Sequence, residues 1–344
     1  MSRGYHNYRG RRNVGKTLLA AVLVLVIIAS ALFIFLQERI LFFDENGTAY
    51  FQLFGEEENR EQPAEEVDLT IQPPKEEKPQ TTRVVRGFNA PVPLDRENWS
   101  LTARQAREEL GESWNAVAVT LKDSGGSIYF DSANALPGTV RFWEEDTDVA
   151  LEAVLSSSVH AVARISCFHD PQAANSETES MGLMNTGGFV FYDGNNSQWL
   201  DPAKSAAREY LCALAAEAAE LGFDEILLTD VSYPTEGNLD KIAYGEGDRQ
   251  ENLLQFLTQM RETLEPYSVA LSVELPESVI LAGYDEDAGV TLSRVAPLVD
   301  GIYVSTTPSQ VHILADAVKK TGSTDFVPQL ETYSEGVTGN CLIY

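Results

Sequence analysis

Cysteine is scarce in this sequence of 344 residues, which contains only three. Three cysteines form at most one disulfide, so a disulfide scaffold is excluded as the basis of the fold. Cys167 falls in a predicted strand and Cys212 in a predicted helix, where we expect buried and unreactive thiols. A hydrophobic core must therefore stabilise the protein, and residues 84–344 are numerous enough to form one.

Positive charge is also scarce. The sequence has 25 Lys and Arg against 52 Asp and Glu, a formal net charge of −27. Because phosphate backbones are bound by basic surfaces, this balance predicts no nucleic acid partner. The excess negative charge favours solubility and mutual repulsion at a cell surface.

Several catalytic and cofactor motifs are missing. The sequence contains no HExxH, CxxC, GxSxG or GxxxxGK[ST], so metalloprotease, zinc, serine esterase and nucleotide-binding functions lack support. The acidic run Asp285-Glu286-Asp287 does not have the spacing of an EF-hand loop and is interpreted as a solvated loop. We therefore predict neither a metal nor a cofactor.

The N-terminal residues combine a basic segment with an uncharged run. Residues 1–16 contain five basic residues and no acidic one, and residues 18–36 are 19 residues without a charge. At about 1.5 Å per residue, a helix of that length spans roughly 28 Å, close to the thickness of a bilayer core. We predict a cytoplasmic segment at residues 1–16 and a transmembrane anchor at residues 17–37, with the C-terminal domain extracellular in a single-pass membrane protein.

A cleaved signal peptide is the alternative for the same segment, because Ala29-Ser30-Ala31 resembles a cleavage site. The apolar residues that follow directly favour the uncleaved anchor. Next comes an acidic, proline-containing segment, predicted to be an extracellular linker at residues 38–83. Between residues 56 and 79 it has nine acidic and three basic residues, a composition typical of an extended tether.

Strand and helix patterns alternate from residue 84 onward. The strands are rich in Val, Ile and Leu with little alternation, as expected when both faces are buried. The order predicts a (β/α)8 TIM barrel over residues 84–344. A doubly wound open sheet is the alternative, but no glycine-rich phosphate loop follows the first strand. After Glu331 only thirteen residues remain. Either residues 341–344 form an abbreviated eighth strand, or the barrel closes imperfectly.

Carboxylates at predicted strand ends are the main candidates for chemistry. Asp230 follows the fourth strand, Glu274 ends the fifth and Glu331 follows the seventh. Two carboxylates that flank a glycosidic bond can divide proton donation from nucleophilic or base duty. Neighbouring barrel strands bring Asp230 and Glu274 close together, and Glu331 is a further candidate from across the barrel. The alternative is that such acids cap helices or pair with Arg164 and Lys122.

Three aromatic residues near predicted strand ends are weaker candidates for sugar binding. Trp143 and Trp199 fall in loops after strands, and Tyr233 follows the fourth strand, where each can stack on a pyranose ring. Packing in the core is the competing explanation for a single loop tryptophan. We select Trp199 and Tyr233 as candidate substrate-binding residues.

Four blocks of the sequence resemble a known family. NAVAVTLKDSGGSIYF, VHAVARISCFHDP, WLDP and AAELGFDEILLTDVSYP are similar, in order, to blocks of a putative glycosyl hydrolase family. Its members are bacterial TIM-barrel proteins, secreted or membrane-anchored, with α-amylase-like relatives. The resemblance implies functional roles for Lys122 and Asp123 after the second strand, Arg164 in the third and Glu274 in the fifth.

The fourth strand departs from the family. Members typically read FDYVRFP where this chain reads LTDVSYP, so Thr229 occupies the Asp position and Ser232 the Arg position. Asp230 comes one residue late, and strand alternation predicts that its side chain faces away from the side of Thr229. A β-bulge is the alternative that restores its direction.

Two functions remain open at this point. The first is a membrane-anchored extracellular glycoside hydrolase acting on a polysaccharide, such as a cell-envelope glycan, with Asp230 as nucleophile or base and Glu274 as general acid. The second is a catalytically inactive barrel that binds glycan or scaffolds a partner at the cell surface.

Overall fold

The computed structural model describes residues 41–43, 49–51, 84–141, 144–245, 247–322 and 324–344. The chain divides into two compact units, residues 1–78 and residues 79–344. In the first unit, Leu41–Phe43 and Ala49–Phe51 form an antiparallel hairpin within the segment predicted as a linker. The predicted anchor at residues 17–37 lies outside the described residues. Among the helices that are described, none has the length and apolar character needed to cross a membrane.

Eight parallel strands form a closed barrel in the second unit. Each strand pairs with the next along the chain, and the last pairs with the first. In chain order they are β1 Arg86–Asn89, β2 Ala116–Lys122, β3 His160–Ser166, β4 Glu225–Thr229, β5 Ala270–Glu274, β6 Gly301–Ser305, β7 Asp325–Leu330 and β8 Cys341–Ile343. The prediction of a TIM barrel is confirmed.

The short strand β8 completes the barrel. Leu342 pairs with Gln329 of β7 on one side and with Gly87 of β1 on the other. Gly87 also permits the close approach of β1 to β2, because a Cβ atom there would lie 2.1 Å from the carbonyl oxygen of Ala116. The abbreviated eighth strand is therefore confirmed, and the alternative of an imperfectly closed barrel is wrong.

Helices connect the strands. They are α1 Arg96–Leu110, α2 Glu144–Leu155, α3 Pro171–Ser176, α4 Ser205–Leu221, α5 Arg249–Leu264, α6 Glu277–Ala282, α7 Leu292–Val295 and α8 Val311–Lys319. Local sequence sets several of their ends. Asp95 and Asp248 accept backbone N–H groups at the starts of α1 and α5, and Gly222 ends α4 in the left-handed conformation.

Two apolar layers hold the barrel together. A small cluster that includes Val162, Leu227, Tyr303 and Leu342 fills the interior of the barrel. A much larger cluster packs the outer face of the strands against the helices. Alternate residues of each strand therefore point to the axis, and the last inward position of each strand faces the carboxyl-end opening, which we call the mouth.

Candidate active site at the carboxyl end of the barrel

Four polar side chains form one layer just inside the mouth. Arg164 of β3 donates from Nη1 to Asn89 Oδ1 at 3.0 Å and to Gln329 Oε1 at 3.1 Å, and from Nη2 to Glu274 Oε2 at 2.9 Å. The four residues come from β1, β3, β5 and β7, as is typical of a layer in this fold, where alternate strands contribute side chains at one level. We call this set the arginine layer.

The ion pair between Arg164 and Glu274 is open to solvent. Their side chains are 16% and 24% exposed, respectively. A guanidinium has only hydrogen-bond donors, in a planar arrangement that suits the oxygen atoms of a carboxylate. The resemblance implied roles for both residues, and the structure brings them into direct contact at the mouth.

Asp230 reaches the mouth because its backbone leaves the strand geometry. Strand β4 ends at Thr229, and Asp230 has a φ of 53°, in the left-handed region that few residues other than glycine adopt. Its Oδ2 atom accepts a hydrogen bond from Ser166 Oγ at 2.6 Å and one from Thr229 Oγ1 at 3.2 Å. Strand alternation predicted the opposite direction. That argument fails here because alternation holds only while the backbone stays extended.

Asp230 and Glu274 therefore follow neighbouring strand ends. Strands β4 and β5 are paired in register, with Leu228 beside Val273. The next positions are Thr229 and Glu274, and adjacent parallel strands lie about 4.8 Å apart. The two carboxylates predicted as catalytic thus stand at adjacent strand ends, and Asp230 is turned towards Ser166 of β3, the neighbour of β4 on the side away from β5.

Lys122 lies away from the mouth. The register between β2 and β3 shifts after Thr120, so that Lys122 pairs with Ile165. Neighbouring residues in a parallel pair point to the same face, and Ile165 belongs to the outer cluster. Lys122 Nζ lies 3.0 Å from Asp170 Oδ2 and donates to the carbonyl oxygen of Ser166 at 2.7 Å. The structure gives this lysine no surface for a substrate.

Asp123 and Glu331 also lie apart from the arginine layer. Asp123 Oδ1 accepts the backbone N–H groups of Gly125 and Ser127, and its Oδ2 accepts the Tyr129 hydroxyl at 2.7 Å. These bonds shape the turn after β2. Glu331 is exposed directly after β7. Neither carboxylate contacts the Arg164–Glu274 pair.

Trp199 belongs to the long β3–α4 connection. Its ring stacks on His169, with ring centroids 4.5 Å apart and planes inclined by 8°. Its Nε1 donates to Asp193 Oδ2 at 2.8 Å, and His169 Nε2 lies 2.7 Å from Ser197 Oγ. One face of the Trp199 ring is thus covered by His169, and the residue stays partly exposed.

Tyr233 is buried, in contrast to the sequence expectation. Its side chain is 1% exposed, and its hydroxyl accepts from Asn252 Nδ2 at 3.1 Å. Burial raises the pKa of this phenol, as expected for a group that is costly to ionise away from water. The structure does not place Tyr233 where a sugar ring can stack on it. Trp143 lies outside the described residues.

The cysteines are free and buried, as expected. Burial raises the pKa of Cys167 well above its usual value and that of Cys212 to about 11. Such thiols remain protonated at neutral pH and are unreactive. In the described part of the chain, no group of three His, Cys, Asp or Glu side chains is arranged to hold a metal ion.

Sequence reasoning missed two inward residues of the mouth. Ser305 ends β6 and Tyr344 follows β8, and their hydroxyl oxygens lie 2.7 Å apart. The Arg164 guanidinium carbon lies 5.9 Å from the centroid of the Tyr344 ring. The available signal was positional, because both residues occupy the last inward place of their strands.

Comparison with solved structures supports the fold. The glycoside hydrolase domain of PgaB (BpsB) from Bordetella bronchiseptica is 13% identical, with a TM-score of 0.53 over 72% of this chain and 84% of that chain. A hypothetical protein from Ruminiclostridium thermocellum is 26% identical, with a TM-score of 0.45, over 52% of this chain and 90% of that chain.

A third similar structure is the GH20 exo-β-N-acetylglucosaminidase from Vibrio harveyi, at 12% identity and a TM-score of 0.47. The match covers 72% of this chain but 41% of that enzyme. At 13% identity, the likeness to the PgaB domain shows a shared barrel fold and no more. No curated protein sequence matches this chain.

The family comparison is more specific. Residues 108–322 match the model of the DUF4015 family, described as "Putative glycosyl hydrolase domain". The matched region extends from the end of α1 to the segment after α8 and contains Arg164, Asp230 and Glu274. The barrel is therefore a glycoside-hydrolase-like domain, and the chain belongs to the putative glycosyl hydrolase family DUF4015.

Proposed function

We propose that this protein is a glycoside hydrolase that cleaves a polysaccharide with Asp230 and Glu274 as its paired carboxylates. The observation that carries the proposal is the left-handed backbone of Asp230. This conformation is costly for a residue with a side chain, and such strain is concentrated at functional sites. Here it turns a carboxylate towards Ser166 at a strand end next to that of Glu274, although the family's Asp position is occupied by Thr229.

The hydrogen-bond partners of the two carboxylates support a division of roles. Arg164 offers Glu274 only donors. Asp230 instead meets the hydroxyls of Ser166 and Thr229, which can both donate and accept. Glu274 is then the nucleophile or base, and Asp230 is the acid that delivers a proton to the leaving oxygen. This assignment reverses the one made from the sequence, in which Asp230 was the nucleophile or base and Glu274 the general acid.

Release of reducing sugar tests the activity. The purified full chain is incubated with a panel of envelope and plant polysaccharides, and new reducing ends are measured. Asp230→Asn and Glu274→Gln should each lower the rate at least roughly 10³-fold, since each removes a group that takes part in bond cleavage. Asp316→Asn, a change on the outer helix α8, is the matched control and should leave the rate unchanged.

The pH profile tests the roles. If Asp230 is the acid, Asp230→Asn should remove the fall in rate at high pH and Glu274→Gln the fall at low pH. Hydrolysis that survives both substitutions would reject this pair of carboxylates.

Binding without hydrolysis is the second candidate function. Two observations favour it. Glu274 already forms an ion pair with Arg164, and Thr229 and Ser232 occupy positions where the family has charged residues. Under this alternative the full chain binds a polysaccharide of the panel, and no reducing ends appear on prolonged incubation.

We also propose that residues 17–37 anchor the barrel to the outer face of the cell membrane. The uncharged run at residues 18–36 and the preceding basic residues support this. The full chain, expressed in bacteria, should remain in the membrane fraction after carbonate washing, and protease added outside intact cells should remove the barrel. Recovery of a soluble chain that begins near residue 32 would indicate signal peptide cleavage instead.

A further inference from the structure

Tyr344 lies at the mouth of the barrel, next to Arg164 of the arginine layer. Because Leu342 belongs to the inner cluster, the position two residues on also faces the barrel axis. The contact with Arg164 agrees with this direction. The ring therefore lies beside the ion pair to which the proposed nucleophile or base belongs.

Tyr344 is exposed and its ring is held in place. The residue is 49% exposed, counted over the whole residue. Its hydroxyl contacts Ser305 Oγ at 2.7 Å, and its backbone N–H donates to the carbonyl oxygen of Leu330 at 2.9 Å. An ordered ring loses little conformational entropy when a ligand packs against it.

We propose that Tyr344 is a substrate-binding residue whose ring stacks on a pyranose unit of the glycan next to the Arg164–Glu274 pair. The apolar face of a pyranose is suited to an aromatic ring, and its hydroxyls reach the polar groups of the arginine layer. The inference rests on the proposed function only in naming a glycan as the ligand. It names polymers built of pyranose rings as the ligand class.

The competing role for Tyr344 is positioning. The ring can act on Arg164 through a cation–π contact and so hold Glu274 indirectly. In that case loss of the ring changes the rate of cleavage and leaves the affinity for the glycan unchanged. Binding measured separately from turnover distinguishes the two roles.

The test is a binding titration of the full chain carrying Asp230→Asn, which leaves the Arg164–Glu274 pair intact and prevents turnover. The probes are cellohexaose, xylohexaose, mannohexaose and chitohexaose. Tyr344→Ala in this background should weaken binding of the best probe roughly five- to tenfold. Tyr344→Phe keeps the ring and should bind within about twofold of its parent. Tyr267→Ala removes a tyrosine from the segment between α5 and β5, at the amino end of the barrel, and should leave binding unchanged.

Each outcome decides the proposal. Equal affinity in the Tyr344→Ala chain and its parent, or no binding of any hexasaccharide by the parent, overturns it. An equal loss with Tyr344→Phe assigns the effect to the hydroxyl contact with Ser305 and also overturns stacking. If the wild-type chain releases no reducing sugar while Tyr344→Ala weakens binding, the hydrolase proposal fails and stacking stands. Thermal unfolding of every variant shows whether the fold is retained.

Discussion

Two ion pairs at the carboxyl end of the barrel differ in their surroundings. Lys122 and Asp170 are enclosed, with side chains 0% and 1% exposed. Arg164 and Glu274 face the mouth and are 16% and 24% exposed. The resemblance to the family pointed to Lys122 and Arg164 alike, but the structure separates their roles.

The difference shows how one type of contact can serve two purposes. The enclosed pair joins β2 to the loop after β3, since Asp170 also accepts the backbone N–H of Ala173 at the start of α3. A charge that water cannot reach depends entirely on its partner, so this pair is structural. The open pair keeps contact with solvent and can exchange its hydrogen bonds for those of a ligand.

The largest expected effect follows from breaking the enclosed pair. Lys122→Met leaves the Asp170 carboxylate buried without its cation and should lower the free energy of unfolding by about 3–5 kcal/mol. Urea unfolding of the full chain measures this. Lys122→Met combined with Asp170→Asn keeps the cap on α3 and should recover at least half of the loss. A double variant no more stable than the single one would refute the structural role.

Breaking the open pair should cost less stability. Arg164→Met should lower the free energy of unfolding by about 1–2 kcal/mol, because solvent compensates part of the lost contacts of Glu274. The same variant should lose glycan cleavage in the reducing-sugar assay. Arg294→Met breaks a solvent-exposed ion pair with Glu251 and serves as the control. It should change the free energy of unfolding by at most about 0.5 kcal/mol. If Arg164→Met lowered the free energy of unfolding more than Lys122→Met, the open pair and not the enclosed pair would be the main structural contact.

Two substitutions of Asp230 should differ from each other in stability by a smaller amount. Asp230→Gly and Asp230→Ala both remove the carboxylate, but glycine adopts a φ of 53° without the steric cost that alanine pays. The glycine variant should be more stable than the alanine variant by about 1 kcal/mol, and both should be inactive. Equal midpoints in thermal unfolding would argue against the left-handed conformation.

The smallest effect concerns Asp193, a carboxylate held mainly by hydrogen bonds. Burial acts to raise the pKa of Asp193, but hydrogen bonds from Trp199 and from the backbone N–H groups of Ser197 and Asn195 outweigh it and lower the pKa below 3.8. For a lowered pKa, the contribution to stability is present above the ordinary value and is lost as the pH falls through the folded one. Wild type should therefore exceed Asp193→Asn in thermal midpoint at about pH 6, and the gap should narrow towards about pH 3.

The sequence predicted most of the fold because periodicity and caps are local. The alternating order of strands and helices predicted from residue 84 onward is the order of the barrel. Helices α3 and α6 have six residues each, and periodicity does not reveal so short a pattern. The burial of Tyr233 depends on packing against Asn252 and Tyr244, which no local pattern reveals.

The sequence by itself determined the barrel, the family and the carboxylates at the ends of β4 and β5. Only the tertiary structure decided which charged residues meet. The register shift in β2 turns Lys122 towards Asp170, and the left-handed turn at Asp230 directs its carboxylate to Ser166. Both follow from backbone departures of a single residue. Such departures reverse the direction of a side chain, whereas the hydrophobic pattern that specifies the strand stays the same.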